Sequence, residues 1–355
     1  MQHYNAHERP PEKLRAIYKK YQKLTQAQID ADPNVIDFVR GLTPEQKSQL
    51  KIIKSIPEEA LRKICSSLNE ASDREKSEII EASNNASVYE LEGLPDTQSC
   101  LLSRLLHRDL SDPRHKTNLH LHYHVPYPTK AEGPEDGRAT AHQSFFSYPP
   151  NSPLTLAPKD ASIHKPLTVS QFLQRKLRWV TLGGQYDWTR KEYPSDAPPD
   201  FPKDVARLLE SIFPEMKAEA AIVNLYTPGD TLSLHRDVSE QSERGLVSLS
   251  IGCDGIFVIG VEEDNPTSDN GTSARYCIVR LRSGDVVYMS RQARFAWHGV
   301  PKILEKTCPE SLKDWPGQAF DAGGKEEGQQ GGEYDEWRGW MASKRINLNV
   351  RQMYG

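Results

Sequence analysis

The sequence predicts a mostly β fold with flanking helices: a β-sandwich or barrel that follows a helical N-terminal arm. Three observations predict it. Seven short stretches with alternating apolar residues lie close together, at 220–226, 231–238, 246–251, 256–261, 276–282, 285–290 and 345–352. Gly, Asp and Asn turns separate them, as in sandwiches and barrels. Residues 1–85, by contrast, are rich in Lys, Glu, Gln and Ser and contain one glycine, Gly41. Finally, the length of 355 residues would allow two or three domains. However, 37% hydrophobic residues, 25 prolines and a mean hydropathy of -0.67 fit one real core with charged or loop-rich additions.

The arm opens with Pro10-Pro11 followed by Glu12-Lys-Leu-Arg-Ala-Ile-Tyr-Lys-Lys-Tyr, a helix start that puts Leu14, Ile17, Tyr18 and Tyr21 on one face. Thr43-Pro44 opens a second helix, with Pro at the first helical position. Ile56-Pro57 onward keeps the helical character, and Pro33, Pro44 and Pro57 divide the arm into short pieces. The arm reads as a cap on the core, without chemistry of its own. From about residue 86, Val88–Leu91 reads as a first strand and Thr97–Leu106 as an amphipathic helix with Leu101, Leu102, Leu105 and Leu106 in its apolar stripe. Residues 125–168 hold many prolines and read as a long surface loop. Phe201–Phe213 reads as a helix with Val205, Leu208, Leu209 and Ile212 on one face. Residues 305–335, with Gly323-Gly324, Gly331-Gly332 and many Gln and Glu, read as a low-complexity, mobile insertion.

The formal net charge of -4 supplies no overall positive field for nucleic acid, so any such site must be a local patch. Five cysteines at 65, 100, 253, 277 and 308 form no CxxC pair and no disulfide framework, which fits a reducing compartment. Cys253 and Cys277 lie in apolar strand contexts and read as small core residues. No run approaches ~18 apolar residues, so no membrane span is expected. The N-terminus lacks an apolar signal core, and Glu8 and Glu12 argue weakly against a transit peptide. A cytoplasmic or nuclear location is expected, with mitochondria left open. A monomer is the default expectation.

The chemistry begins at Leu232-Ser-Leu-His235-Arg-Asp237-Val238. Strand alternation puts Thr231, Ser233, His235 and Asp237 on one face. Positions two apart are ~6.6 Å apart along a strand, so an imidazole and a carboxylate there can converge on one ion. His298 follows 61 residues after Asp237, in Phe-Ala-Trp-His298-Gly-Val. Two His and one carboxylate with open positions suit Fe(II) oxygen chemistry, although zinc hydrolases can use the same three residues. The C-terminal strand Arg345-Ile-Asn347-Leu-Asn349-Val-Arg351 alternates without a break. Inward arginines are costly without anionic partners. Two of them six residues apart suit a dicarboxylate, because guanidinium forks bind carboxylates bidentately. Zinc hydrolases have no general need of such a pair.

Five ordered motifs together resemble the AlkB family of Fe(II)- and 2-oxoglutarate-dependent nucleic-acid dealkylases: Asn224-Leu-Tyr226 through Asp237, Ser248–Gly252, Ser283–Val286, Arg294–Val300 and Arg345–Arg351. Trp179-Val-Thr-Leu-Gly-Gly-Gln-Tyr186-Asp187-Trp188 and residues 101–126 are similar to the eukaryotic branch called AlkB homologue one. The resemblance covers about residues 86–355, taken as a dioxygenase domain after an N-terminal extension at 1–85. It implies a double-stranded β-helix, or jelly roll, with Fe(2+) held by His235, Asp237 and His298. It also implies that 2-oxoglutarate is a co-substrate, with Arg345 on its distal carboxylate and Arg351 near the metal-proximal one. Asn224, Tyr226 and Asn347 would supply hydrogen bonds. The implied reaction consumes O2, releases succinate and CO2, and removes an N-methyl group from a base as formaldehyde. The cofactors carry the oxidation while the protein supplies ligands, orientation and dryness.

The substrate expectation rests on residues 171–193, where Arg175, Lys176, Arg178, Arg190 and Lys191 interleave with Phe172, Trp179, Tyr186, Trp188 and Tyr193. Positive charge can track phosphates while aromatics stack on an unpaired base. The bland alternative is that Trp179 and Phe172 are core and the charges a solvated face. By the resemblance, Trp179, Tyr186, Asp187 and Trp188 fall where a base flipped out of its stack would be held. The expected substrate is RNA, with 1-methyladenine in tRNA foremost and methylated DNA bases second. Other readings are a hydroxylase of protein or small molecules and a catalytically silent nucleic-acid-binding module. The bacterial enzyme has an acidic residue two positions past its iron aspartate, where this chain has Ser239, with Glu240 next. Gly184 stands where that enzyme has a stacking Trp. His120-Leu-His122-Tyr-His124 would place three imidazoles on one strand face, more simply satisfied histidines than a metal site.

Overall fold

The computed structural model describes residues 5, 8–49, 68, 87–90, 95–128, 143–187, 192–194, 197–264, 272–317 and 334–355. The helix expected from Ile56-Pro57 onward lies outside the described residues. In the arm, α1 (Glu12–Lys23) buries Leu14, Tyr18 and Tyr21 along one face. It is followed by α2 (Gln26–Ala31), whose first turn is closed by a capping box between Thr25 and Gln28. The arm is not only helical. Val35–Ile36 forms a strand, β1, and Pro44–Gln49 a short helix, as its proline placement suggested.

The strands that follow are β2 (Ser87–Glu90), β3 (Thr155–Leu156), β4 (Leu167–Thr168), β5 (Trp179–Gly183), β6 (Ala220–Tyr226) and β7 (Leu232–His235). Then come β8 (Leu246–Gly252), β9 (Gly255–Asp264), β10 (Thr272–Leu281), β11 (Asp285–Met289), β12 (Trp297–Ile303) and β13 (Arg345–Arg351). They assemble into a six-stranded sheet of order β2-β11-β8-β13-β6-β5 and a five-stranded sheet of order β1-β10-β9-β12-β7, with β3-β4 as a separate small hairpin. All pairings are antiparallel except β1 with β10. This is the jelly-roll core expected.

Period-2 alternation explains where the core lies. Ile346, Leu348 and Val350 of β13 join one buried cluster with Leu102 of α3 (Pro95–Ser103), Leu106 just after it, and Leu208 and Leu209 of α4 (Lys203–Ile212). The opposite face of β13, with Arg345, Asn347, Asn349 and Arg351, is equally buried. A fully buried polar face needs internal partners, and those partners build the site.

Several local expectations need correction. The helix ends at Ser103 rather than Leu106, and a π-helical segment, Arg104–Asp109, continues it so that Leu105 and Leu106 stay buried. The strand expected at 231–238 stops at His235, because Arg294 Nη1 takes the Asp237 carbonyl at 2.7 Å that a ladder would have used. His120, His122 and His124 share no strand face. Thr117 caps a 3-10 turn, Asn118–Leu121, and the His120 ring closes the capping box. The stretch 125–168 is not all surface loop: Phe145 and Phe146 are buried, and β3 and β4 lie in it. Of 305–335, residues 305–317 hold a short helix, Glu310–Lys313, with Cys308, Leu312 and Trp315 buried; 318–333 lie outside the described residues. Cys253 is buried as expected, but Cys277 faces outward from β10. No helix among the described residues is long and apolar enough to cross a membrane.

Candidate metal and co-substrate site

The cross-strand pair His235 and His298 joins β7 to β12, with ring centroids 4.3 Å apart. Asp237, two residues beyond His235, reaches the same point. Its Oδ1 lies 3.7 Å from His235 Nε2 and its Oδ2 3.6 Å from His298 Nε2. Each imidazole is oriented by the chain behind it: His235 Nδ1 donates to the Ser233 carbonyl at 2.9 Å and His298 Nδ1 to the Ala296 carbonyl at 3.0 Å. With the proton held on Nδ1, both Nε2 lone pairs point at Asp237, the usual way a second layer prepares metal-binding histidines. Burial, helped by the neighbouring His235 imidazole, pushes the His298 imidazolium down to about 4, so the ring is neutral at pH 7. Burial alone would raise the Asp237 carboxyl, but the Arg351 guanidinium and the two imidazoles hold it well below the usual carboxylate range. Asp237 Oδ2 and His298 Nε2 are buried without a hydrogen-bond partner. Two imidazole nitrogens and one carboxylate, with His298 Nε2 and Asp237 Oδ2 orphaned, fit a divalent cation. Among the described residues they are the one such grouping of His, Cys, Asp or Glu ligand atoms.

The two arginines of β13 live in opposite surroundings. Arg351 Nη2 lies 3.6 Å from Asp237 Oδ2, and its Nη1 lies 3.2 Å from Glu240 Oε1 and 3.5 Å from the Tyr193 hydroxyl. Burial would lower its pKa, but these anionic neighbours, Asp237 first, raise it. Arg345 is 1% exposed and, among the described residues, donates to neutral acceptors: Cys253 O at 3.1 Å, Leu281 O at 3.2 Å and Ser250 Oγ at 2.7 Å. Its Nε has no partner, and burial lowers its pKa. A buried guanidinium without an ion pair is costly. Its chemistry asks for an anion. Tyr226 stands directly across the ladder from Arg345, with burial raising its hydroxyl pKa.

The remaining expected residues fall into place unevenly. Asn224 is half-buried and pairs in register with both Asn347 and Trp179, so the three share one face of the large sheet. The Asn347 amide donates to Ser248 Oγ at 2.8 Å, while Asn349 Oδ1 is a further buried atom without a partner. Trp179 and Tyr186 are half-buried; the Tyr186 hydroxyl is 3.4 Å from Ser239 Oγ and its ring meets Tyr193 edge-on at 5.2 Å. Asp187 bridges to Glu192 through the backbone. Trp188 lies outside the described residues. Sequence reasoning noted Glu240 only as the neighbour of Ser239 and gave it no role: its side chain, 1% exposed, holds Arg351 on one oxygen and Arg294 on the other at 2.9 Å. Arg294 also fixes the Arg244 and Asp237 carbonyls.

A family model described as the 2OG-Fe(II) oxygenase superfamily matches residues 139–351. An N6-methyladenosine RNA demethylase, ALKB1, of Pyricularia oryzae is 45% identical over 369 residues, covering 98% of this chain and 97% of the relative. The chain belongs to the AlkB family of 2OG-Fe(II) oxygenases. An N6-methyladenosine RNA demethylase, ALKBH, of Cryphonectria parasitica is 52% identical over 242 residues, covering 66% of this chain and 99% of the relative. The tRNA demethylase abh1 of Schizosaccharomyces pombe is 38% identical over 266 residues, 73% of this chain and 75% of its own length. As a family member the chain is a dioxygenase whose reaction uses Fe(2+), 2-oxoglutarate and O2, and the His-Asp-His grouping is where three candidate ligand atoms meet among the described residues.

Proposed function

We propose that this AlkB-family enzyme oxidatively removes methyl groups from N-methylated adenine in RNA, tRNA included. The observation that carries the proposal is the 45% identity, along nearly the whole of both chains, with an N6-methyladenosine RNA demethylase. His235, Asp237 and His298 would hold Fe(2+), and Arg345 would take the distal carboxylate of 2-oxoglutarate with the Tyr226 hydroxyl beside it. Asn224 and Asn347 line the same sheet face and would complete the co-substrate's hydrogen bonds. Arg351 keeps Asp237 ionised and turned toward the imidazoles, while Glu240 holds Arg351 in place. Trp179, Tyr186 and Asp187 would receive the base, with Tyr186 tied to Ser239 two residues past Asp237.

When bound, iron and 2-oxoglutarate supply the oxidising chemistry by which O2 yields a hydroxylated N-methyl carbon, succinate and CO2. Loss of formaldehyde from that carbon then leaves the unmethylated base. Purified protein with iron, ascorbate and 2-oxoglutarate should release succinate and formaldehyde together from RNA carrying N6-methyladenosine or 1-methyladenine, and the rates on the two should identify the preferred position. Matched DNA oligonucleotides should be slower. Coupled turnover that requires a protein substrate, with every methylated nucleic acid unchanged, would overturn the proposal.

A further inference from the structure

Two of the three residues read as metal ligands, His235 and Asp237, sit on and just past the end of a short edge strand. β7 is four residues long, lies at the edge of its sheet and, among the described residues, pairs with β12 alone, through a register shift. Asp237 lies beyond its end. Backbone pairing alone leaves such a strand free to fray.

The side chains interleaved with the ligands point the other way, and the N-terminal arm meets them there. Leu234, just before His235, and Trp297, just before His298, pack with Leu14 of α1 and Tyr276 of β10. Leu14 is wholly buried. It enters a notch made by Gly260, which lies between Trp297 and Tyr276 in the sheet; a Cβ on Gly260 would come within 2.6 Å of the Leu14 side chain. Arg236, between His235 and Asp237, lies 4.4 Å above the Trp297 ring and pairs with Glu8 at 2.7 Å. Leu234, Arg236 and Trp297, each next to a ligand, are thus gripped by the arm or by a residue the arm grips.

We propose that Glu8 and Leu14 are positioning residues for the metal site: the arm buttresses the three ligands from behind, and the AlkB core alone does not hold them in register. The inference rests on the reading that His235, Asp237 and His298 bind the metal. Partners one layer behind metal ligands typically control affinity by ~10–100-fold. Leu14→Ala should therefore weaken binding of Co(II), read in the metal-free full-length protein by its visible absorption, by about tenfold. Leu14→Met, which refills the notch, should restore it. Glu8→Gln, at a partly exposed ion pair that folding does not need, should weaken Co(II) about two- to threefold, since such pairs contribute little.

Leu156→Ala in the separate β3-β4 hairpin serves as the control for lost stability. If it weakens Co(II) as much as Leu14→Ala does, or if Leu14→Ala and Glu8→Gln both bind Co(II) like the wild type, the buttress is overturned. If His298→Ala binds Co(II) as tightly as the wild type, the ligand assignment fails instead, and the buttress falls with it.

Discussion

β13 and β7 carry the two halves of the proposed site, co-substrate and metal, and are held in different ways. β13 runs inside the large sheet, in unbroken register with β6 on one side and β8 on the other, and all seven of its residues are buried. Its guanidinium at Arg345 is fixed by two carbonyls and a hydroxyl. β7 is a half-exposed edge strand, and the carboxylate it leads to is placed by side chains from elsewhere, Arg294 and Arg351. The co-substrate half is therefore built by the sheet itself. The metal half is built by contacts that converge from distant segments, and the metal would complete it. Preorganisation of this kind favours tight co-substrate binding, because the ordering cost is met at folding.

Four substitutions would break or sharpen this division. The largest effect is expected from Asp237→Ala, which removes a metal bond and leaves Arg351 with one anionic partner fewer. Losing one partner of a buried charged pair costs about 3–5 kcal/mol, so Co(II) affinity should fall by at least about two orders of magnitude and demethylation should cease. Arg345→Lys keeps the charge and loses the fork. Charge-assisted hydrogen bonds contribute about 1.5–3 kcal/mol each, so 2-oxoglutarate affinity should fall by about one to two orders of magnitude. A smaller loss is expected from Gly255→Ala, whose Cβ would stand 2.8 Å from Arg345 Nε. Overpacking of ~1–2 kcal/mol would displace the guanidinium and weaken 2-oxoglutarate roughly tenfold, with Co(II) binding unchanged. The smallest belongs to Tyr193→Phe, which deletes a 3.5 Å contact to Arg351. A loss of ~0.5–1 kcal/mol should weaken Co(II) binding two- to fivefold and leave the fold intact.

Legibility in the sequence follows the same division. β13 could be read whole, because both of its faces obey the strand period and the polar face has no other explanation. The grouping of His235, Asp237 and His298 was legible as residue types, but its support was not. Glu240 acts through Arg294, 54 residues away, and Arg351, 111 residues away, separations over which a single sequence carries no signal. β12 was not among the expected strands; Gly299 and Pro301 break the strand pattern there, and the ladder indeed shifts register between Gly299 and Lys302. The arm's contribution was invisible for another reason. β1 has two residues, and the notch for Leu14 exists only once Gly260, Trp297 and Tyr276 are brought side by side. His120 to His124 misled in the opposite sense, since strict alternation was overridden by the local capping bonds of Thr117.

The division of labour itself is tested most directly by titrating Arg345→Lys and His298→Ala separately with Co(II) and, in the presence of saturating metal, with 2-oxoglutarate. Arg345→Lys should bind Co(II) like the wild type and lose 2-oxoglutarate. His298→Ala should lose Co(II) while the buried guanidinium face of β13 stays intact, seen as unchanged hydrogen-exchange protection of residues 345–351. An Arg345→Lys protein that loses Co(II) but binds 2-oxoglutarate normally would contradict the account, because Arg345 would then be serving the metal rather than the co-substrate.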